Sequence, residues 1–130
     1  MPYHSIFRPD LFAGQTYLVT GGGTGIGRAV AHELASLGAH VVVAARTAEN
    51  LERVATEIRD AGGSASCFAC NIREEEQVIA LFDYVLAERG GFHGLVNNAG
   101  GQFISPAEMI SLKGWRAVVE TNLTLSLIHI

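Results

Sequence analysis

The stretch that most limits what this chain can fold into begins Tyr17-Leu18-Val19-Thr20 and continues Gly21-Gly22-Gly23-Thr24-Gly25-Ile26-Gly27. A short apolar run that meets a cluster of glycines reads as a buried strand entering a tight turn. Ile26, Val30, Leu34 and Leu37 then recur at helical spacing, and Gly38 stands where a left-handed residue closes a helix. Strand, glycine turn and helix in that order are the setting in which a glycine-rich pattern holds a dinucleotide. The residue type follows from the ligand. A side chain would keep the backbone away from a diphosphate, whereas the amino end of a helix offers unpaired N–H groups and a favourable dipole.

The alternation continues downstream. Val41 to Ala45 is a second β-rich run, and Thr47 opens a helix whose Leu51, Val54, Ala55 and Ile58 share one face before Gly62-Gly63. Ser66 to Cys70 reads as a third strand, Glu74 to Glu88 as a third helix with Val78, Leu81, Phe82 and Val85 inward, and Gly94 to Asn97 as a fourth strand. The order β-α-β-α-β-α-β, with helices long enough to cross over, predicts an α/β fold: a Rossmann doubly wound parallel sheet. Ser105-Pro106-Ala107-Glu108 places a capping serine, a proline and an acid as a helix start requires, and Trp115, Val118, Val119 and Leu123 continue the apolar spacing.

Composition removes several alternatives. The formal net charge is −4 and no Lys/Arg run occurs, which argues against a groove that tracks nucleic-acid phosphates. Apolar runs such as Val41 to Ala45 are too short to span a membrane, and the first fifteen residues lack the apolar core of a secretion signal. A soluble, cytoplasmic protein is expected. Cys67-Phe68-Ala69-Cys70 has C-x-x-C spacing, but on a strand residues three apart point to opposite faces, so packing is expected rather than redox or metal chemistry. His4, His32, His40, His93 and His129 show no metal-ligand spacing, and no metal is expected.

Candidate ligand-reading residues fall at strand ends, where open α/β sheets bind their ligands. An NAD enzyme places Asp or Glu at the end of the second strand to accept from the ribose hydroxyls, but here the strand ends Ala44-Ala45-Arg46. The Arg46 guanidinium would pair with a 2′-phosphate, which favours NADP(H) over NAD(H). Asn71-Ile72 follows the third strand, where an amide could meet the adenine edge, and Asn97-Asn98-Ala99-Gly100 ends the fourth. Turn-forming asparagine is the ordinary alternative for both.

Taken together, TGGGTGIG, Arg46, NNAG and Asn122 resemble the short-chain dehydrogenase/reductase family from about Leu11 to Thr124. The resemblance implies a Rossmann sheet with Gly21, Thr24, Gly25, Ile26 and Gly27 around the cofactor pyrophosphate and Asn71 and Ile72 beside adenine. It also implies Asn98, Ala99 and Gly100 further along the cofactor, and Asn122 in the catalytic group that organises a proton-relay water. Within the family, GGQF, SPAE, KGW and ETNLT look like the branch of peroxisomal trans-2-enoyl-CoA reductases and bacterial reductases that include citronellol or citronellal dehydrogenases. That likeness implies hydride transfer from NADPH to an enoyl thioester, with Gln102 and Phe103 near the substrate. The alternatives are an alcohol or carbonyl dehydrogenase acting on a terpenoid, and a non-catalytic NADP(H)-binding module. Homo-oligomerisation of the full-length form, as a tetramer, is implied as well, and a peroxisomal location in a eukaryote.

The family's catalytic Ser and Tyr-x-x-x-Lys belong to segments beyond Asn122. Of Tyr3, Tyr17 and Tyr84, the last has Glu88 rather than Lys four residues on. Residues 1–124 are therefore expected to be the amino-terminal part of one domain, truncated after the fourth strand and the following helix and inactive alone. Leu125-Ser126-Leu127-Ile128-His129-Ile130 departs from the family pattern and resembles a translated transposon-end sequencing adapter, so a non-native tail is expected.

Overall fold

The computed structural model describes residues 4–102 and 104–124; Tyr3, Phe103 and the Leu125–Ile130 tail lie outside them. Four strands and four helices alternate: β1 (Thr16–Thr20), α1 (Gly25–Ser36), β2 (His40–Ala45), α2 (Ala48–Asp60), β3 (Ser64–Ala69), α3 (Glu75–Arg89), β4 (Gly94–Val96) and α4 (Leu112–Val119). A single 3-10 turn at Ala107–Met109 precedes α4, and a π turn over Glu120–Thr124 extends it. The strands form one parallel sheet in the order β3-β2-β1-β4, as expected of a Rossmann fold.

Strand alternation sends neighbouring residues into two separate cores. Val19, Val41 and Val43 pack with Ala31 and Ala35 of α1 and with Leu51, Val54, Ala55 and Ile58 of α2. Leu18, Val42 and Ala44 face the other way, against Val78, Leu81 and Val85 of α3. Both faces of β2 are thus covered, and Val41 through Ala44 are fully buried. That is why the run reads as continuously apolar rather than alternating. The helices that lead into β2 and β4, α1 and α3, pack on opposite faces, so the strand order reverses between β1 and β4, the place where such sheets bind ligands beyond their carboxyl ends.

Two local readings are corrected. The buried face of α1 is Gly27, Ala31 and Ala35; Val30 and Leu34 pack half-buried against the same core and Leu37 is buried just past the helix, as their spacing suggests, whereas Ile26 is exposed. Small residues let α1 lie close to the sheet, and Ile26 sits at the helix mouth. The serine that caps a helix is Ser111, whose Oγ accepts from Gly114 N at 3.0 Å, rather than Ser105, whose hydroxyl turns to the Pro106 carbonyl. The Ser105-Pro106 signal yields only the 3-10 turn, ended by Ile110 in an extended conformation.

Candidate functional site

The glycine turn is shaped by two kinds of constraint. Gly21 and Gly25 have φ of +67° and +53°, a region that a side chain disfavours. Gly22 and Gly27 are fixed by space: a Cβ on Gly22 would come within 2.8 Å of Val43, and one on Gly27 would overlap Gly21 O and the Asn98 amide. A Cβ on Gly25 would meet nothing within 4 Å, so the backbone there borders open space. Thr24 caps α1 without a side-chain hydrogen bond, and the first bond into the helix is Arg28 N to Thr24 O. Among the described residues, the N–H groups of Gly25, Ile26 and Gly27 therefore have no protein acceptor. Unpaired donors beside side-chain-free backbone fit a diphosphate.

The turn is tied to the end of β4 by Thr20, a residue not singled out from the sequence. Its fully buried hydroxyl donates to Val96 O at 3.2 Å and accepts from Asn98 N at 3.2 Å and Ala99 N at 3.1 Å. Asn98 returns the link, its Nδ2 donating to Thr20 O at 3.0 Å and Gly21 O at 3.3 Å. The available signal was a hydroxyl inside a buried strand, which must find partners.

A cleft of about 620 Å³ opens along these strand ends. Gly21, Thr24, Gly25 and Ile26 form one wall, Arg46, Asn71 and Ile72 a second, and Asn98, Ala99, Gly100 and Gln102 a third. Gly27 does not line it; the residue lies behind the wall as a spacer between helix and turn. Thr47, Asn50, Arg73, Ala117, Val118 and Thr121 also line the cleft and were not anticipated. Thr47 and Asn50 could have been found as polar first-turn residues after Arg46, whereas α4 reaches the cleft only through tertiary packing.

Arg46 is exposed and has no ion-pair partner among the described residues. Asn71 is held in a turn: its backbone N–H donates to Gln77 Oε1 at 2.8 Å, and Arg73 N donates to its Oδ1 at 3.2 Å. A backbone N–H can only donate, so the carbonyl oxygen of Asn71 is fixed in that turn, and Nδ2 is the group left without a protein partner among the described residues.

Asn122 lies in the π turn, outside the cleft lining. Its Nδ2 donates to Gly101 O at 2.7 Å and Val118 O at 2.8 Å, and its Oδ1 accepts from Gly101 N at 3.2 Å. In a π turn the regular i to i+4 ladder is interrupted, and the side chain satisfies the Val118 carbonyl instead. The two cysteines face opposite cores, as their strand spacing predicts. Burial and the neighbouring Glu52 carboxylate, a 3.2 Å hydrogen-bond partner, push the Cys67 thiol up to about 11, and burial raises Cys70. Among the described residues no group of three or more His, Cys, Asp or Glu could hold a metal ion, and no helix is long and apolar enough to cross a membrane.

This glycine-turn cleft at the switch point of a parallel sheet is that of the short chain dehydrogenase family, whose model matches residues 15–129, and the chain belongs to it. Among its relatives, a citronellol catabolism dehydrogenase, AtuB, of Pseudomonas aeruginosa PAO1 is 59% identical, with a TM-score of 0.92 over 97% of this chain and 52% of that one. A metagenomic short-chain oxidoreductase solved in complex with NADP is 41% identical, with a TM-score of 0.85 over 90% of this chain and 53% of that one. A probable 2,4-dienoyl-CoA reductase of Bacillus subtilis (strain 168) is 38% identical over 79% of this chain and 41% of its own length. The chain thus spans about half the length of these relatives.

Proposed function

We propose that the protein to which this chain belongs is an NADP(H)-dependent oxidoreductase acting on an apolar, lipid-like substrate. The observation that carries this reading is the pairing, in one cleft, of the unpaired amides of Gly25 and Ile26 with a β2 end that offers Arg46 and no carboxylate. The α1 amides would hold the diphosphate and Arg46 the 2′-phosphate, in keeping with the NADP complex of the 41%-identical neighbour. Asn71 would present its amide N–H to the base. Once bound, the nicotinamide supplies or accepts the hydride.

Asn122 would take part in the proton relay as an acceptor. Both of its amide hydrogens already serve Gly101 and Val118, so a water ordered by it must donate to it. Two substrate readings follow. Reduction of a trans-2-enoyl-CoA delivers hydride to the β-carbon and a proton to the α-carbon, and the similarity to a probable dienoyl-CoA reductase favours it. Oxidation of a terpenoid alcohol removes hydride from the carbinol carbon and the hydroxyl proton, and the 59% identity to a citronellol catabolism dehydrogenase favours that.

The test is titration of the full chain with NADPH and NADH by quenching of intrinsic fluorescence, followed by absorbance at the nicotinamide band. Tighter binding of NADPH is expected. In the longer protein to which this chain belongs, turnover of crotonyl-CoA with NADPH supports the first substrate and turnover of citronellol with NADP+ the second. Affinity for neither nucleotide would overturn the reading.

A further inference from the structure

We infer that Arg73 is a positioning residue, tying the loop at the end of β3 to the turn that carries Asn122. The α4 and π-turn segment, residues 112–124, has little core of its own: Gly114 is its only buried residue, and Trp115 and Leu123 are exposed. Among the described residues, two polar links join it to the rest of the molecule. One is the reciprocal pair between the Asn122 amide and the Gly101 backbone. The other is the ion pair of Arg73 Nη2 with Glu120 Oε2 at 2.7 Å, which spans 47 residues of sequence and grips the first residue of the π turn.

Arg73 is not a free surface cation. Its backbone N–H is bound to Asn71 Oδ1, and Asn71 and Ile72 line the cleft beside it. A ligand that orders the Asn71–Arg73 loop thereby orders the guanidinium, and through Glu120 it steadies the Asn122 turn. Occupancy at one end of the cleft is in this way felt at the other. The carboxylate and guanidinium are each nearly half exposed, so the effect is a modest bias rather than a lock.

This inference rests on the reading above only where it concerns NADPH, and the experiment separates the two. Hydrogen–deuterium exchange of residues 115–124 is followed in the full chain, with and without NADPH, for the unmodified protein, Arg73→Gln, Glu120→Gln and the charge swap Arg73→Glu with Glu120→Arg. In the ligand-free protein both single variants should exchange about two- to fivefold faster in that segment, the range expected of a partly exposed ion pair, and the swap should restore the original rate. With NADPH, protection of residues 120–124 should be lost in both single variants, and in Glu120→Gln this should happen although NADPH affinity changes less than about twofold, a readout that loss of packing alone would not produce. Glu120 does not line the cleft, so Glu120→Gln is the arm free of direct ligand contact. Unchanged exchange in both single variants, or a swap that fails to restore it, overturns the inference. Failure of the unmodified protein to bind NADPH overturns the reading under Proposed function and leaves the ligand-free comparison to decide this one.

Discussion

Replacing Thr20 by valine tests the link between the glycine turn and the end of β4 with little change of volume. The lost hydroxyl serves three backbone groups, but they do not suffer equally. Asn98 N keeps its 2.9 Å bond to Val96 O, which in turn keeps Asn98 as donor. Ala99 N has Thr20 Oγ1 as its sole protein partner among the described residues and is left unsatisfied in a part-buried site. One orphaned N–H costs about 1–3 kcal/mol, and the bonds lost to the Val96 carbonyl and from the Asn98 N–H bring the expected total to about 2–3 kcal/mol. Serine keeps the hydroxyl and loses one fully buried methyl, for about 1 kcal/mol. Urea unfolding of the full chain should therefore rank the unmodified protein above Thr20→Ser and Thr20→Ser above Thr20→Val, with unchanged slope. At a slope of about 2 kcal/mol per molar, the valine midpoint should fall by about 1–1.5 M. A valine variant as stable as the serine variant would refute the claim that the hydroxyl, rather than its methyl, fastens the two strand ends.

Arg46→Ala should weaken NADPH binding by about 2 kcal/mol, roughly 30-fold, and leave NADH nearly unchanged, measured by parallel fluorescence titrations. Glu57 is held below the ordinary carboxylate range by its hydrogen bond from Arg28, aided by His32. A folded-state pKa lowered in this way adds stability above the ordinary carboxylate range and loses it as pH falls, so the urea midpoint of Glu57→Gln should vary less with pH between about 6 and 3 than that of the unmodified protein. At pH 8 a thiol titrating near 11 is about one part in a thousand thiolate, so iodoacetamide should leave Cys67 unmodified in the folded chain, and Cys70 with it; peptide mass spectrometry after alkylation with and without urea checks this.

The fold was legible where burial acts on large side chains. Val41 to Ala44, buried on both faces, and the Leu51, Val54, Ala55 and Ile58 stripe of α2 could be read from type and spacing alone. The face of α1 was legible only in part, because the sheet approaches it through Gly27, Ala31 and Ala35, whose small side chains carry a weak hydrophobic signal. Ser105 and Ser111 are both capping residues in suitable local sequence, and the choice between them falls to the extended Ile110 that separates the 3-10 turn from α4. At the site, the glycine turn and the strand-end asparagines were visible because their local geometry demands them. Ala117, Val118 and Thr121 were invisible, because only the folding-back of α4 brings them beside residues far away in sequence.

The glycines of the turn separate into two groups with different consequences for binding. Gly22 and Gly27 accommodate the protein itself, and a methyl at either would push against Val43 or against the Gly21 carbonyl and Asn98. Gly25 accommodates no described residue: it has positive φ and open space where a Cβ would stand. Thr20 and Asn98 satisfy the polar groups on the inner side of the turn, while the amides of Gly25 and Ile26 on the cleft side have no partner among the described residues. The turn is therefore held in its shape by internal bonds, with its cleft-side donors pointing to an acceptor outside the turn. A diphosphate bound there, as proposed above, would complete a set of hydrogen bonds without remodelling backbone, so its binding energy would not be spent on ordering the loop.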